Sequence, residues 1–141
     1  MPASKRKPRS EQAMRIEHVA IWTGDLERLR DFYERYFDVR AGGRYESRNH
    51  PGFSSYFLEL AGGGARLELM TFPTLGPMAP HPSLGYPHVA IAVGSRAAVD
   101  ALTARMRADG VTVVTDPHET GDGYYESVVC DPDGNRIEIT V

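Results

Sequence analysis

His18-Val19-Ala20-Ile21 returns letter for letter as His88-Val89-Ala90-Ile91, and Arg66-Leu67-Glu68-Leu69 returns as Arg136-Ile137-Glu138-Ile139. Both steps are 70 residues, about half of a 141-residue chain. A fixed internal step of this size marks a duplicated structural unit. Each half carries one His and one Glu at matching places. Two imidazoles and two carboxylates placed symmetrically are a donor set for a metal held between the halves.

Reading outward from the repeated words gives the same series of elements twice. Ile16 to Trp22 alternates and is β-rich, which predicts a strand. Thr23-Gly24-Asp25 breaks it, and Asp25 is placed to cap a helix whose apolar residues Leu26, Leu29, Tyr33 and Tyr36 recur every three or four positions. Strand-like runs follow at about 39–46, 53–60 and 65–72, the last two joined by the hairpin turn Ala61-Gly62-Gly63-Gly64. The stretch from Thr71 to Pro87 contains Pro73, Pro77, Pro80, Pro82 and Pro87 and cannot be regular structure. The pattern then restarts with a strand at 86–93 and a helix capped by Ser95, with Val99, Leu102 and Met106 inside and Gly110 at its C-terminal end. Strands at 111–115, 124–130 and 135–141 complete it, the last two joined by the turn Asp131-Pro132-Asp133-Gly134. The prediction is an α+β fold of tandem βαβββ modules, 15–72 and 86–141, joined by a Pro-rich linker at 73–85. The mixed sheets would curve into a cleft with the helices on the outer face.

Alternation along the strands places the chemistry. His18, Ala20 and Trp22 share one face of their strand, opposite Val19 and Ile21. His88, Ala90 and Ala92 lie opposite Val89 and Ile91. Glu68, Met70 and Phe72 oppose Leu67 and Leu69, and Glu138 and Thr140 oppose Ile137 and Ile139. Aliphatic faces pack under helices, whereas faces of His, Glu, small residues and aromatics line a cleft. Of the five histidines, 18, 50, 81, 88 and 118, only His18 and His88 are repeat-equivalent, and each stands 50 residues before its glutamate. Alone, a strand His is usually a hydrogen-bonded structural residue and a strand Glu usually faces water; the repetition makes the metal reading the stronger one. Imidazole with carboxylate suits Zn²⁺, Ni²⁺ or Co²⁺, and also Fe²⁺ or Mn²⁺.

Bulk properties exclude several classes. The net charge is −3 with 41% apolar and 25% charged residues, as in an ordinary globular protein. No apolar run approaches the roughly 20 residues that span a bilayer. Lys5, Arg6, Lys7 and Arg9 against Glu11 give residues 1–14 the character of a disordered basic tail, and leave an acidic body unsuited to nucleic acid. Cys130 has no partner for a disulfide and reads as a buried structural thiol in a reducing, cytoplasmic setting.

The doubled βαβββ unit, the paired His-Val-Ala-Ile strands and the closing Asp131-Pro132-Asp133-Gly134-Asn135-Arg136-Ile137-Glu138-Ile139 resemble the vicinal oxygen chelate superfamily. It contains glyoxalase I, fosfomycin-resistance proteins, methylmalonyl-CoA epimerase, extradiol dioxygenases and bleomycin-resistance proteins. The order His, Glu, His, Glu is that of glyoxalase I, so the resemblance implies His18, Glu68, His88 and Glu138 as metal ligands. Epimerases usually carry Gln at the second place, and fosfomycin-type enzymes and dioxygenases use two His and one carboxylate. The implied activity is that of a lyase or isomerase on a small α-hydroxy-carbonyl or hemithioacetal substrate. Proton abstraction would give a metal-stabilised enediolate, with Glu138 as base and Glu68 as the symmetric alternative. Glutathione-binding members have Arg four residues after the first His and Asn four after the first Glu. Here those positions are Trp22 and Phe72, an aromatic lining that does not imply classical glutathione recognition. Tyr124 and Tyr125, in the glycine-rich segment 120–126, are further candidates for substrate contact as a lid; Arg48-Asn49-His50 could reach the cleft mouth.

Two rival readings differ in class. A sequestering protein of the bleomycin-resistance kind would use Trp22, Phe72, Tyr124 and Tyr125 to stack an aromatic small molecule without chemistry. An Fe²⁺-dependent dioxygenase ranks third, because a fourth protein ligand would fill one of its open positions. The resemblance implies a cleft that two chains can build together, His18 and Glu68 of one meeting His88 and Glu138 of another; the long Pro-rich linker permits either this or a chain that closes its own halves, and the two-fold homodimer is favoured.

Overall fold

A computed structural model describes residues 14–141; residues 1–13 of the basic tail, and the disorder expected of them, lie outside the described residues. The first module runs β1 (His18–Trp22), α1 (Leu26–Tyr36), β2 (Val39–Ala41), β3 (Tyr45–Glu46), β4 (Ser54–Leu60) and β5 (Arg66–Thr71). The second runs β6 (His88–Ala92), α2 (Arg96–Ala108), β7 (Val113–Glu119), β8 (Tyr125–Cys130) and β9 (Arg136–Thr140). Both helices start as the sequence predicts: the Asp25 carboxylate accepts from the Arg28 N–H and the Ser95 hydroxyl from the Ala98 N–H. Gly110, at φ +85°, supplies the left-handed turn that ends α2.

Each module is a mixed sheet with its first strand on an outer edge. The orders are β1-β5-β4-β2, with β3 also on β4, and β6-β9-β8-β7. The first strand runs parallel to the last, β1 to β5 and β6 to β9, and the remaining pairs are antiparallel. Two predicted strands differ from the observed ones. The run at 39–46 is broken at Gly42-Gly43 into β2 and β3, which pair successive stretches of β4. β7 continues past Thr115 and through Pro117 to Glu119, where the sequence suggested an earlier end. An edge strand tolerates a missing N–H, and the register shift between Thr115 and His118 absorbs the proline.

The aliphatic faces form the core, as alternation requires. Leu67 and Leu69 are 3% and 0% exposed, and Ile137 and Ile139 are 1% and 0%. Each such side chain contributes about 1.5–3 kcal/mol by leaving water. They pack with Leu29 and Tyr33 of α1 or Val99 and Met106 of α2, so the opposite sheet faces carry the functional residues.

The two sheets do not join. The modules meet through polar contacts at helix ends and one turn. Asp131 accepts from the Asp133 and Asn135 N–H groups and from the Asn135 amide, which pins the turn so that Asp133 reaches across to the Thr23 hydroxyl at 2.5 Å and Arg28 at 3.1 Å. Tyr36 donates to Asp109 at 2.8 Å, and Arg105 to the Arg35 carbonyl at 2.6 Å. Both β1 and β6 border an open space of about 2250 Å³ between the modules, along which the linker runs. No helix among the described residues is long and apolar enough to cross a membrane.

Gly52 ties the start of the linker to the turn before β4. Its φ is +91°, and a Cβ there would lie 2.5 Å from Pro73 Cγ. Gly52→Ala adds backbone strain to a clash with a stiff ring, so a loss of about 1–3 kcal/mol is expected in denaturant unfolding. Wild-type stability in that variant would mean the contact does not form.

Candidate metal centre

The parallel pairing that ends each module brings its His and Glu together. Ala20 is the register partner of Glu68 and Ala90 of Glu138, so each histidine stands diagonally from the glutamate on the same sheet face. His18 Nε2 lies 3.7 Å from Glu68 Oε1, and His88 Nε2 lies 2.9 Å from Glu138 Oε2. The histidines are about 40% exposed, while Glu68 and Glu138 are 16% and 23% exposed. Each pair is thus anchored on the sheet and open at its imidazole edge.

The four donors stand as two half-sites. Among the described residues, no three His, Cys, Asp or Glu side chains gather round one point. The donor chemistry nevertheless fits a borderline divalent cation. Behind His18, Glu17 Oε1 lies 3.6 Å from Nδ1, on the side where a metal-binding imidazole commonly finds a carboxylate. Glu17 is itself held by Arg66, whose Nε donates at 3.2 Å; this hydrogen bond keeps its carboxyl below the usual range. The Arg66 guanidinium also sits 4.2 Å from the Phe57 ring centroid.

A third carboxylate adjoins the second half-site. Glu126 on β8 is the register partner of Thr140 on one side and of His118 on the other, which sets it on the face of Glu138. Interaction with the Glu138 carboxyl, with burial and repulsion between the two charges, pushes the Glu126 carboxyl up to about 6. Its Oε2 is buried without a partner.

An aromatic wall flanks the first half-site. Trp22 is 49% exposed and meets Phe53 edge-on at 6.2 Å; Phe53 meets Tyr45 at 6.4 Å, and Phe57 meets the His18 ring at 5.4 Å. Phe72 borders the same space as Trp22. The two loop tyrosines part company. Tyr124 is 59% exposed. Tyr125, expected at the substrate, instead turns to the helix side, where its hydroxyl donates to Asp100 at 2.5 Å and Arg96 covers its ring. Alternation explains this correction, because Tyr125 and Glu126 are neighbours on one strand and must face opposite ways. His50, His81 and His118 are exposed. Cys130 is half-buried rather than buried, and desolvation pushes its thiol up, against a nucleophilic role.

Phe53, Phe57, Tyr45 and Glu126 are additions to the set read from the sequence. The strand register reveals two of them: alternation carried from Glu68 to its partner Phe57 and from Glu138 to Val128 places Phe53 and Glu126 on the same faces.

Two parallel-closed mixed sheets with a His/Glu pair each are a distinctive arrangement, and comparison with known families agrees. The profile of the glyoxalase/bleomycin resistance protein/dioxygenase superfamily matches residues 15–139. The chain belongs to this superfamily. Among solved structures, it is similar to a glyoxylase/bleomycin resistance protein/dioxygenase domain from Frankia sp. EAN1pec, with a TM-score of 0.78 and 20% identity over 92% of this chain and 98% of that one. It is also similar to the trypanothione-dependent glyoxalase I of Leishmania major, with a TM-score of 0.70 and 26% identity over 91% and 86% of the two chains. A glyoxalase I variant from Zea mays gives a TM-score of 0.72 at 21% identity over 89% of this chain, which spans 44% of the maize chain. No curated protein matches.

Proposed function

We propose that this protein is a metal-dependent lyase or isomerase of the glyoxalase I type, acting on a small α-hydroxy-carbonyl or hemithioacetal. The observation that carries the reading is the pair of repeat-equivalent half-sites, His18 with Glu68 and His88 with Glu138, on sheet faces left open by the packing. These four residues would hold a divalent ion, Zn²⁺, Ni²⁺ or Co²⁺ by preference and Fe²⁺ or Mn²⁺ as alternatives. Such an ion, when bound, supplies Lewis acidity that makes a C–H between two substrate oxygens removable. Glu138 takes that proton and returns it to the neighbouring carbon, with Glu68 as the symmetric candidate. His18 and His88 remain as ligands. Trp22, Phe53 and Phe72 exclude water and pack the apolar part of the substrate; none offers the charged hydrogen bonds that a peptide carboxylate requires.

The working unit in this proposal is a homodimer. His18 and His88 lie on the two edge strands, each facing open space in one chain, and an unpaired edge is a surface for another copy. A second chain can set its β6 half-site against the β1 half-site of the first, so that each centre draws two donors from each chain.

Elemental mass spectrometry tests the metal, and turnover of α-ketoaldehyde–thiol adducts tests the reaction. One first-row divalent ion per site, lost in His88→Ala, with turnover that chelation abolishes, is the expected result. No ion bound and none taken up from Ni²⁺, Co²⁺ or Zn²⁺ solutions overturns the lyase reading. The exposed side chains of Trp22 and Tyr45 favour a sequestering protein in that event, and its binding of an aromatic ligand should survive chelator.

A further inference from the structure

The repeat is unequal at one place beside the half-sites. Glu126 pairs with Thr140 on β9, and in the first module Ser55 pairs with Met70 on β5. Met70 and Thr140 are themselves one repeat step apart, so Glu126 and Ser55 occupy equivalent positions. Only the second module puts a carboxylate there. Both positions hold a buried polar atom without a partner, Ser55 Oγ and Glu126 Oε2, two of the four such atoms among the described residues.

Charge balance sets this carboxylate apart. Glu17 is paired with Arg66, and Glu27 with Arg30 and Arg44. Glu126 stands diagonally from Glu138 on one sheet face, and among the described residues no Arg or Lys forms an ion pair with either; His88 is the one basic group paired with Glu138. His118 faces Glu126 from β7 but is exposed, and Asp122 adds a further negative charge nearby. Like charges packed on a sheet face destabilise it unless a cation intervenes.

We propose that Glu126 backs the second half-site of the shared centre, its negative charge acting with that of Glu138 to raise the affinity for the divalent ion. The inference rests on the metal-centre reading above. It makes the second half-site the larger contributor of negative charge to the centre, because Glu17 beside the first is neutralised by Arg66. Glu126 is a positioning residue here, acting through Glu138 and the ion.

The test is Ni²⁺ titration into chelator-stripped full-length protein by calorimetry, comparing wild type with Glu126→Gln and Glu126→Asp. Gln keeps the size and removes the charge. The expected result is affinity weakened about 10–100-fold in the Gln variant, the range seen when a carboxylate supporting a metal ligand is lost. The Asp variant should regain most of that affinity, and the metal-free Gln variant should melt higher than metal-free wild type. Glu126→Ser, which copies the first module, carries the same expectation for affinity if the Gln variant does not fold. Equal Ni²⁺ affinity in wild type and the charge-free variant overturns the role of Glu126 alone. A wild-type protein that takes up no Ni²⁺ overturns the metal centre itself.

Discussion

Glu138→Gln, loaded at saturating divalent ion to offset weaker binding, is expected to lose turnover by about 10²–10⁴-fold, the usual contribution of a positioned acid–base group. The amide has the shape of the carboxylate and retains one oxygen for a metal or for His88, 2.9 Å away, but cannot accept a proton under working conditions. The fold has no reason to change, because the stabilising neighbours of Glu138 on β9 are Ile137 and Ile139, both essentially buried on the opposite face. Metal content and kcat measured on one preparation separate the two roles. Glu68→Gln is the matched control: as a ligand without base function it should lose far less in kcat at saturating metal. If the order is reversed, Glu68 is the base. If the metal-loaded Glu138→Gln enzyme turns over normally, the assignment of Glu138 fails.

Much of this architecture was legible because duplication and alternation reinforce each other. A letter-perfect repeat fixes where the module restarts, and period two then fixes which face His18 and Glu68 share. Caps and breakers behaved locally, as at Asp25, Ser95 and Gly110, because their roles depend on near neighbours in sequence. The misreadings arose where tertiary placement overrode local pattern. Pro117 looks like a strand terminator until β7 is known to be an edge. Tyr125 looks like half of an aromatic lid until its strand begins and the pleat turns it toward Asp100. Glu126 was hidden for another reason: it belongs to no repeated word, and only the β8–β9 register brings it beside Glu138. Its unequal partner Ser55 shows that duplication exposes what the halves share and conceals what only one half carries.

Mixing His18→Ala and His88→Ala chains should restore metal binding and turnover that neither variant has alone. In a homodimer with shared centres, each centre uses His18 and Glu68 of one chain and His88 and Glu138 of the other. Either variant by itself lacks one imidazole in every centre. In a mixed dimer both lesions fall in one centre, and the other is assembled wholly from intact halves. Random pairing makes about half the dimers mixed, so about a quarter of wild-type activity and metal content is expected from a two-fold assembly. Both histidines are exposed on their edge strands, which makes truncation at either one a change of donors rather than of core packing. Co-expression with two affinity tags, followed by tandem purification, isolates the mixed species and should raise the recovery to about half. A chain that closes its own halves gives no recovery at any mixing ratio, because every chain then carries a damaged centre. The experiment therefore decides whether the open space between β1 and β6 is filled by the chain itself or by a second copy, and with that decides which surface of the molecule the substrate meets.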